Sequence, residues 1–175
     1  IVGGSQGAKF FDEFISEIII KLSKIEKIQV LQQVINLKSK ENIKELYQKN
    51  HIEHELFNFE EKLLTKAVNY DLAITRSGAS TISELAYLNI PFAAIPYPYA
   101  KDNHQYYNAK LYEKNKSCWL MMQKDINKNN FTDLMVKIFK DQNEYFSKKN
   151  NLIKFNKENT WEKNKSKLIE LINEN

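Results

Sequence analysis

The residues best suited to binding an anion lie in the segment 76–84, which reads Arg-Ser-Gly-Ala-Ser-Thr-Ile-Ser-Glu. The segment follows a short apolar run, residues 72–75, that is typical of a buried strand. Apolar side chains with helical spacing follow it, over residues 82–88. The sequence therefore predicts a strand, a turn of small residues and a helix N-terminus. Free N–H groups and the helix dipole at such a turn favour a bound phosphate.

Four residues of this segment suit particular roles. Gly78 permits a positive φ in the turn, and Ser80 or Thr81 can cap the helix. Glu84 lies just inside the helix, where a carboxylate can accept hydrogen bonds from a ribose diol. This pattern alone is more typical of an ordinary strand-to-helix turn with a capping residue than of a nucleotide site.

A second loop of small residues opens the chain. Residues 3–8 read Gly-Gly-Ser-Gln-Gly-Ala and follow Ile1-Val2, which has the character of the end of a strand. Glycines there let phosphates approach the backbone closely, although the G-x-G-x-x-G spacing of dinucleotide sites is absent. An amphipathic helix follows, with apolar residues at helical spacing at Phe10, Phe11, Phe14, Ile15, Ile18, Ile19 and Leu22.

A third motif, Asp-Asn-His-Gln at residues 102–105 followed by Asn108-Ala109, completes a recognisable set. In order and separation, the three motifs resemble those of the MurG glycosyltransferases. That family transfers N-acetylglucosamine from UDP-GlcNAc to lipid I, giving lipid II in bacterial peptidoglycan synthesis. The resemblance covers nearly the whole chain, but it matches only the family's C-terminal, donor-binding half. It implies the C-terminal, Rossmann-like half of a GT-B glycosyltransferase.

The resemblance implies a UDP-GlcNAc site at the matching positions of this sequence. The substrate-binding candidates are Ser5, Glu60, Ala79, Ser80, Thr81, Ile82, Ser83, Glu84 and Gln105. Further candidates are Gly4, Gln6, Phe59, Gly78, His104 and Asn108. In these roles the two glycine-containing loops hold the diphosphate, Glu84 binds the ribose, and Gln105 with its neighbours addresses sugar hydroxyls.

Two segments test the match more closely. The stretch at Phe59 and Glu60 corresponds to the one that holds uracil in the family, partly through main-chain contacts. Phe59 is therefore a nucleobase contact or simply a core aromatic residue. Residues 32–35, Gln-Gln-Val-Ile, replace the family's His-Gln and the glycine that closely follows. This departure leaves the role of that loop open.

The family reaction inverts the anomeric centre in a single displacement, and its general base is expected from the N-terminal domain. This chain offers no convincing base, and Arg76 is interpreted as structural or electrostatic. The chain alone is therefore not expected to transfer sugar. The sequence implies no cofactor, and a metal site is not favoured because His51 and His54 have no third ligand nearby.

Composition limits the class of protein. A chain of 175 residues fits one domain, and a net charge of +4 is too slight to indicate nucleic-acid binding. The single cysteine, Cys118, suits a reducing cytoplasm and a buried structural thiol. No signal peptide or membrane-spanning segment is evident. Because Ile1 lies within an apparent strand, we expect a fragment whose N-terminal acceptor domain precedes it.

The resemblance further implies peripheral contact of the full protein with the inner membrane, on the cytoplasmic face of the plasma membrane.

Along the chain, strands alternate with helices, and most strands are continuous apolar runs. Strands are predicted near residues 27–33, 53–57, 72–75, 90–96 and 117–122. Helices are predicted near residues 8–25, 39–49, 59–70, 82–88, 103–115, 131–139, 143–155 and 160–172.

This alternation predicts an α/β fold, a doubly wound parallel sheet with helices on both faces. Every motif then falls at the carboxyl end of a strand, where ligands of such sheets bind. Three alternatives stay open. The chain is part of another two-domain UDP-sugar transferase with a different lipid acceptor, a separate donor-binding subunit that needs an acceptor partner, or a non-catalytic domain. The altered residues 32–35 are the only support for the last.

Overall fold

The computed structural model describes residues 1–4, 9–160, 163 and 165. Five strands alternate with helices, and every strand pair is parallel. The strands are β1 Gln29–Gln33, β2 Glu53–Phe57, β3 Ala73–Thr75, β4 Phe92–Ala94 and β5 Cys118–Leu120. The helices are α1 Ser16–Ser23, α2 Leu37–Lys49, α3 Leu63–Ala67, α4 Ala79–Tyr87, α5 His104–Lys114, α6 Lys128–Lys140 and α7 Gln142–Glu158. A π-helical turn, Phe11–Ile15, precedes α1, and 3₁₀ turns occur at Lys101–Asn103 and Gln123–Asp125.

Ile1 and Val2 join the two groups of strands into one layer. The Gln33 N–H donates to the Ile1 carbonyl on the β1 side (2.9 Å), and the Val2 N–H donates to the Ile74 carbonyl on the β3 side (2.9 Å). Val2 also forms a parallel bridge with Thr75. The spatial order is therefore β2, β1, Ile1–Val2, β3, β4, β5. The direction of winding reverses between Ile1–Val2 and β3, which makes this point the topological switch of the sheet.

Alternate residues of the central strands enter two separate hydrophobic cores, as the two-residue period of a strand requires. Ala73, Phe92, Ala94 and Cys118 pack with α4, α5 and α7. Their neighbours on the opposite face of the sheet pack with α1, α2 and α6, and these are Ile74, Ala93, Ile95 and Trp119. Both faces of the sheet are thus covered by helices. The predicted doubly wound parallel sheet is confirmed.

Helix boundaries differ from the predictions in two places with identifiable causes. The predicted cap of α2, Ser39, is wrong, because Asn36 caps the helix and its side chain accepts from the Ser39 N–H at 2.9 Å. The helix predicted over residues 59–70 is reduced to α3, Leu63–Ala67. The loop before α3 is held in a turn by Glu60, whose carboxylate accepts from the Lys62 N–H at 3.0 Å. The predicted helix 160–172 lies almost wholly outside the described residues.

A cavity of about 700 Å³ lies beside Ile1 and Val2. Ile1 and Val2 line it together with parts of β1 and β3, and Thr81 and Glu84 of α4 border it. Across the described part of the chain, no helix is long and apolar enough to cross a membrane. Cys118 is buried in β5, as predicted, and burial raises the pKa of its thiol to about 12.

Candidate functional site

The two glycine-containing loops leave adjacent strands at the topological switch. Gly3 and Gly4 follow Ile1–Val2, and residues 76–78 follow β3, the neighbouring strand. A doubly wound sheet binds its ligand in the crevice outside the carboxyl ends of strands at this point. The fold therefore places Gly3 and Gly4, the described start of the first loop, next to the start of the second loop, where the Arg76 N–H donates to the Val2 carbonyl at 3.1 Å. Ser5 and Gln6, both predicted site residues, lie outside the described residues.

The glycine that needs an unusual backbone conformation is Gly4 and not Gly78. Gly4 has φ +90, a conformation that side-chain-bearing residues rarely adopt. Gly78 has φ −61 and ψ 140, so the expected use of a positive φ there is wrong. Gly78 is instead the N-cap of α4, a position at which glycine is well tolerated.

The predicted capping of α4 by Ser80 or Thr81 is also wrong. The helix begins at Ala79, so both hydroxyl residues already lie in its first turn, and no side chain caps the helix. The first helical hydrogen bond runs from the Ile82 N–H to the Gly78 carbonyl at 3.1 Å. Within the described residues, the N–H groups of Ala79, Ser80 and Thr81 have no acceptor, so this turn can bind an anion.

Arg76 is the first residue of the second loop, and it is only 5% exposed. Its Nη1 donates to the Ile95 and Pro96 carbonyls, both at 3.1 Å, and its Nη2 donates to Gln123 Oε1 at 2.6 Å. Three aromatic rings surround the guanidinium, with centroids 4.9–5.6 Å from its carbon, and these belong to Phe10, Phe11 and Tyr97. Arg76 therefore ties together the segments that follow β3, β4 and β5.

Burial lowers the pKa of Arg76 to about 10, which leaves the guanidinium charged at neutral pH. No carboxylate among the described residues forms an ion pair with it. The loop that leads into α4 thus begins with a buried positive charge that has no counter-ion among the described residues. Together with the helix dipole, it makes the region attractive to a negatively charged ligand.

Helix α5 also contacts the loop at residues 76–78. Asn108 Nδ2 donates to the Ser77 carbonyl at 3.1 Å, so this predicted sugar-binding residue is already engaged with the loop through its amide N–H. Ser77 Oγ is fully buried and has no hydrogen-bond partner within the described residues. Ser77 belongs to the motif at residues 76–84, but no local pattern predicts the burial of its hydroxyl.

Gln105 has one half of its carboxamide occupied and the other half available. Its Oε1 accepts from the Tyr97 N–H at 2.9 Å, and no described group accepts from its Nε2. The carboxamide can therefore act as a hydrogen-bond donor toward a ligand. His104 is exposed, and its Nδ1 lies 2.8 Å from the Lys101 carbonyl, which leaves Nε2 facing outward. The loop before α5 contains two consecutive left-handed residues, Asp102 and Asn103.

The loop after β2 presents Phe59 to solvent. Phe59 is 78% exposed, which excludes the interpretation that it is a core aromatic residue. The Glu60 carboxylate turns back to Lys66 (2.5 Å), and this contact is the main cause that lowers its pKa. The Glu60 side chain is thus engaged by Lys66 of α3 and by the Lys62 N–H. A ligand contact at this position has to use the main chain, as the resemblance implies.

Glu84 lies on the side of α4 that borders the cavity beside Ile1 and Val2. It is partly exposed and takes part in no ion pair with the described residues.

Residues 1–4 and 9–160 contain no group of three His, Cys, Asp or Glu side chains that could hold a metal ion. His54 instead packs against the Tyr47 ring and contacts the Ile52 carbonyl.

The strand order and the positions of the loops at the switch point define a Rossmann-like domain, and the uncapped N-terminus of α4 can bind an anion. Residues 1–165 match the model of the glycosyltransferase family 28 C-terminal domain. The chain belongs to this family. The class that the motifs indicated is therefore confirmed.

Similar proteins agree with this assignment. The chain is 43% identical over its whole length to a UDP-N-acetylglucosamine–N-acetylmuramyl-(pentapeptide) pyrophosphoryl-undecaprenol N-acetylglucosamine transferase from Pelagibacter ubique (strain HTCC1062), covering 49% of that protein. A transferase of the same name from Rickettsia bellii (strain RML369-C) is 40% identical over 90% of the chain, which covers 45% of the relative. The chain thus spans about half the length of these curated relatives.

A solved structure also shares the fold. The crystal structure of Acinetobacter baumannii MurG superposes with a TM-score of 0.69 and 24% sequence identity. The match covers 79% of this chain and 40% of that protein. At this identity the comparison supports the fold alone, and it agrees with a C-terminal GT-B domain.

Proposed function

We propose that this chain is the donor-binding half of an inverting hexosyltransferase that uses UDP-GlcNAc and delivers N-acetylglucosamine to lipid I, forming lipid II. The observation that carries the proposal is the pair of loops at the topological switch, the second of which begins with the buried, unpaired charge of Arg76. The names of the 43% and 40% identical relatives supply the sugar and the acceptor.

The parts of the donor are assigned to separate groups of residues. The diphosphate lies at the first turn of α4, where Ala79, Ser80 and Thr81 offer N–H donors. The uracil lies against the loop of Phe59 and the main chain of Glu60. These assignments use a positive charge and free donors for the anion, and an exposed ring for the nucleobase.

The ribose and the sugar are assigned to the remaining polar groups. Glu84 accepts hydrogen bonds from the ribose hydroxyls, since its carboxylate has no ion pair with a described residue. The free Nε2 of Gln105 donates to a hydroxyl of the sugar, with His104 beside it. Of the two remaining candidates in this helix turn, Ser83 is exposed, whereas Ile82 is only 1% exposed and its N–H is bonded to the Gly78 carbonyl, so Ile82 offers the ligand no free polar group.

We assign no general base to this chain. In the proposed reaction, the acceptor hydroxyl displaces the diphosphate in a single step, and the base and the lipid I site come from an N-terminal acceptor domain. The donor half holds the sugar in place and stabilises the negative charge that develops on the leaving diphosphate. The full protein contacts the cytoplasmic face of the inner membrane peripherally to reach its lipid acceptor.

The first test is a calorimetric titration of the chain with UDP-GlcNAc, UDP-glucose and UDP. We expect binding of all three ligands, with UDP-GlcNAc preferred over UDP-glucose. Absence of UDP binding would overturn the proposal. A second measurement mixes the chain with UDP-GlcNAc and lipid I, and we expect no transfer, because the base and the acceptor site are assigned to another domain.

Glu84 gives the sharper test. Replacing the carboxylate should cost about 1.5–3 kcal/mol of nucleotide binding, or roughly a tenfold to hundredfold loss of affinity. Glu84→Ala should lose most of this, and Glu84→Gln part of it, while the fold survives. Wild type should prefer UDP strongly over 2′,3′-dideoxy-UDP, whereas Glu84→Ala should not.

A matched control is Glu41→Ala. Glu41 is an exposed carboxylate in the second turn of α2, as Glu84 is in the second turn of α4, so the two changes remove the same charge from similar helix positions. We expect Glu41→Ala to leave the affinity for UDP unchanged. If wild type and Glu84→Ala discriminate equally between the two nucleotides, Glu84 does not bind the ribose.

A further inference from the structure

The side chain of Gln33 connects two of the loops that form the candidate site. Gln33 is the last residue of β1 and is only 7% exposed. Its Oε1 accepts a hydrogen bond from the Gly3 N–H at 3.1 Å, and its Nε2 donates to the Asn58 carbonyl at 3.1 Å. One carboxamide thus uses both its acceptor and its donor to connect backbone groups that lie just after Ile1–Val2 and just after β2.

A second carboxamide strengthens the connection. Asn58 Nδ2 donates to the Val34 carbonyl at 3.1 Å, and the Val34 N–H donates to the Phe57 carbonyl at 2.8 Å. The carboxyl ends of β1 and β2 are therefore joined by side-chain bonds that run in both directions. These bonds begin where the ladder of the parallel strands ends, so they extend strand pairing into the loops.

The positions of the connected groups matter for ligand binding. Gly3 precedes Gly4, whose φ of +90 shapes the first glycine loop, and Asn58 precedes Phe59 and Glu60. Gln33 therefore fixes how far the start of the glycine loop lies from the loop assigned to the nucleobase. We propose that Gln33 is a positioning residue for the nucleoside part of the donor. This inference rests on the proposed function, since it assumes that a uridine nucleotide spans these loops.

The neighbouring glutamine provides a matched control. Gln32 is fully buried and points to the opposite face of β1, where its Oε1 accepts from the Tyr47 hydroxyl at 2.6 Å and its Nε2 donates to Ser16 Oγ at 3.2 Å. The two glutamines are adjacent in one strand and each makes two hydrogen bonds. They differ in what they connect, because Gln32 joins two helices in the core and Gln33 joins two loops of the site.

The experiment compares Gln33→Met with Gln32→Met by calorimetric titration with UDP and by urea unfolding. Methionine has a similar length and removes both hydrogen bonds. We expect Gln33→Met to weaken UDP binding about two- to tenfold, as loss of positioning hydrogen bonds would do. Gln32→Met should be destabilised in urea but bind UDP as wild type does. If both variants bind UDP with the wild-type affinity, Gln33 does not position the ligand.

Hydrogen exchange supplies a readout that does not depend on the ligand. In Gln33→Met, the Gly3 amide should exchange faster than in wild type, whereas in Gln32→Met it should not. Gln33→Glu keeps an acceptor for the Gly3 N–H but cannot donate to the Asn58 carbonyl, so it should retain protection at Gly3 and still weaken UDP binding. Unchanged exchange at Gly3 in Gln33→Met would overturn the inference. Failure of wild type to bind UDP would instead overturn the proposed function, and this inference with it.

Discussion

Replacement of Arg76 by methionine should destabilise the fold severely, although no ion pair is lost. Methionine fills much of the same space among the three aromatic rings but cannot donate a hydrogen bond. The Ile95 and Pro96 carbonyls, both buried, then lose their shared donor. A buried acceptor left without a partner costs about 1–3 kcal/mol, so the two carbonyls together should cost about 2–6 kcal/mol. That is a large part of the roughly 5–15 kcal/mol by which domains are usually stable.

Urea unfolding followed by far-ultraviolet circular dichroism measures this loss. We expect the order of stability wild type, Arg76→Lys, Arg76→Met, because lysine keeps the charge but lacks the fork that reaches both carbonyls and Gln123. Lys44→Met is the control, since Lys44 is an exposed cation on α2 and its loss should change the free energy of unfolding by less than about 0.5 kcal/mol. If Arg76→Met and Lys44→Met unfold at the same urea concentration, Arg76 does not hold the loops together.

Three further predictions concern single side chains. Phe59→Ala should leave the free energy of unfolding within about 0.5 kcal/mol of wild type, because the ring is exposed. The same change should weaken UDP binding by about 1–3 kcal/mol if the ring stacks on uracil. Urea unfolding measures the first effect, and titration with UDP measures the second. Cys118 should resist iodoacetamide at about pH 8 in the folded chain and react in urea, since a pKa raised from 9.0 to about 12 leaves little thiolate. Asp12 lies in the π-helical turn before α1, where it is buried and its Oδ2 accepts from the Ile35 N–H at 3.0 Å. Burial raises the pKa of Asp12, so its contribution to stability is present at low pH and is lost as the pH rises through the folded-state pKa. Asp12→Asn should therefore unfold at higher urea concentration than wild type at neutral pH, with no such advantage in acid; the opposite pH dependence would contradict this reasoning.

β3, β4 and β5 could be predicted because each lies in a largely apolar run, whereas β1 and β2 each contain three polar residues in five. β2 occupies the predicted residues, Glu53–Phe57, and the run around β4 is bounded by Pro91 and Pro96, which cannot extend a central strand. The parallel arrangement follows from helices between successive strands. The strand lengths could not be predicted, because an apolar residue just beyond a strand is buried for the same reason as one inside it.

The details of the site required the three-dimensional structure. Asn36 and Ser39 are both good capping residues, so the sequence could not decide between them, and the geometry of the chain leaving β1 did. Gly4 and Gly78 each permit a positive φ, but only Gly4 adopts one. The bonds of Gln33 to Gly3 and Asn58 join residues far apart in sequence, and no local pattern reports such contacts. From the sequence alone, Gln33 is only part of an altered loop.

The placement of Ile1 and Val2 in the middle of the sheet has a consequence for the order of folding. β1 with β2, and β3 with β4 and β5, are connected through successive helical crossovers and can assemble from contacts close in sequence. Ile1 bonds to Leu31, 30 residues away, whereas Val2 bonds to Ile74, so the contact of Val2 with β3 has the largest sequence separation of the strand pairings in the described sheet. Distant pairings form slowly because the chain entropy they cost is large. We expect the group of β1 and β2 and the group of β3, β4 and β5 to form first. The site between them is then completed only when Val2 pairs with β3.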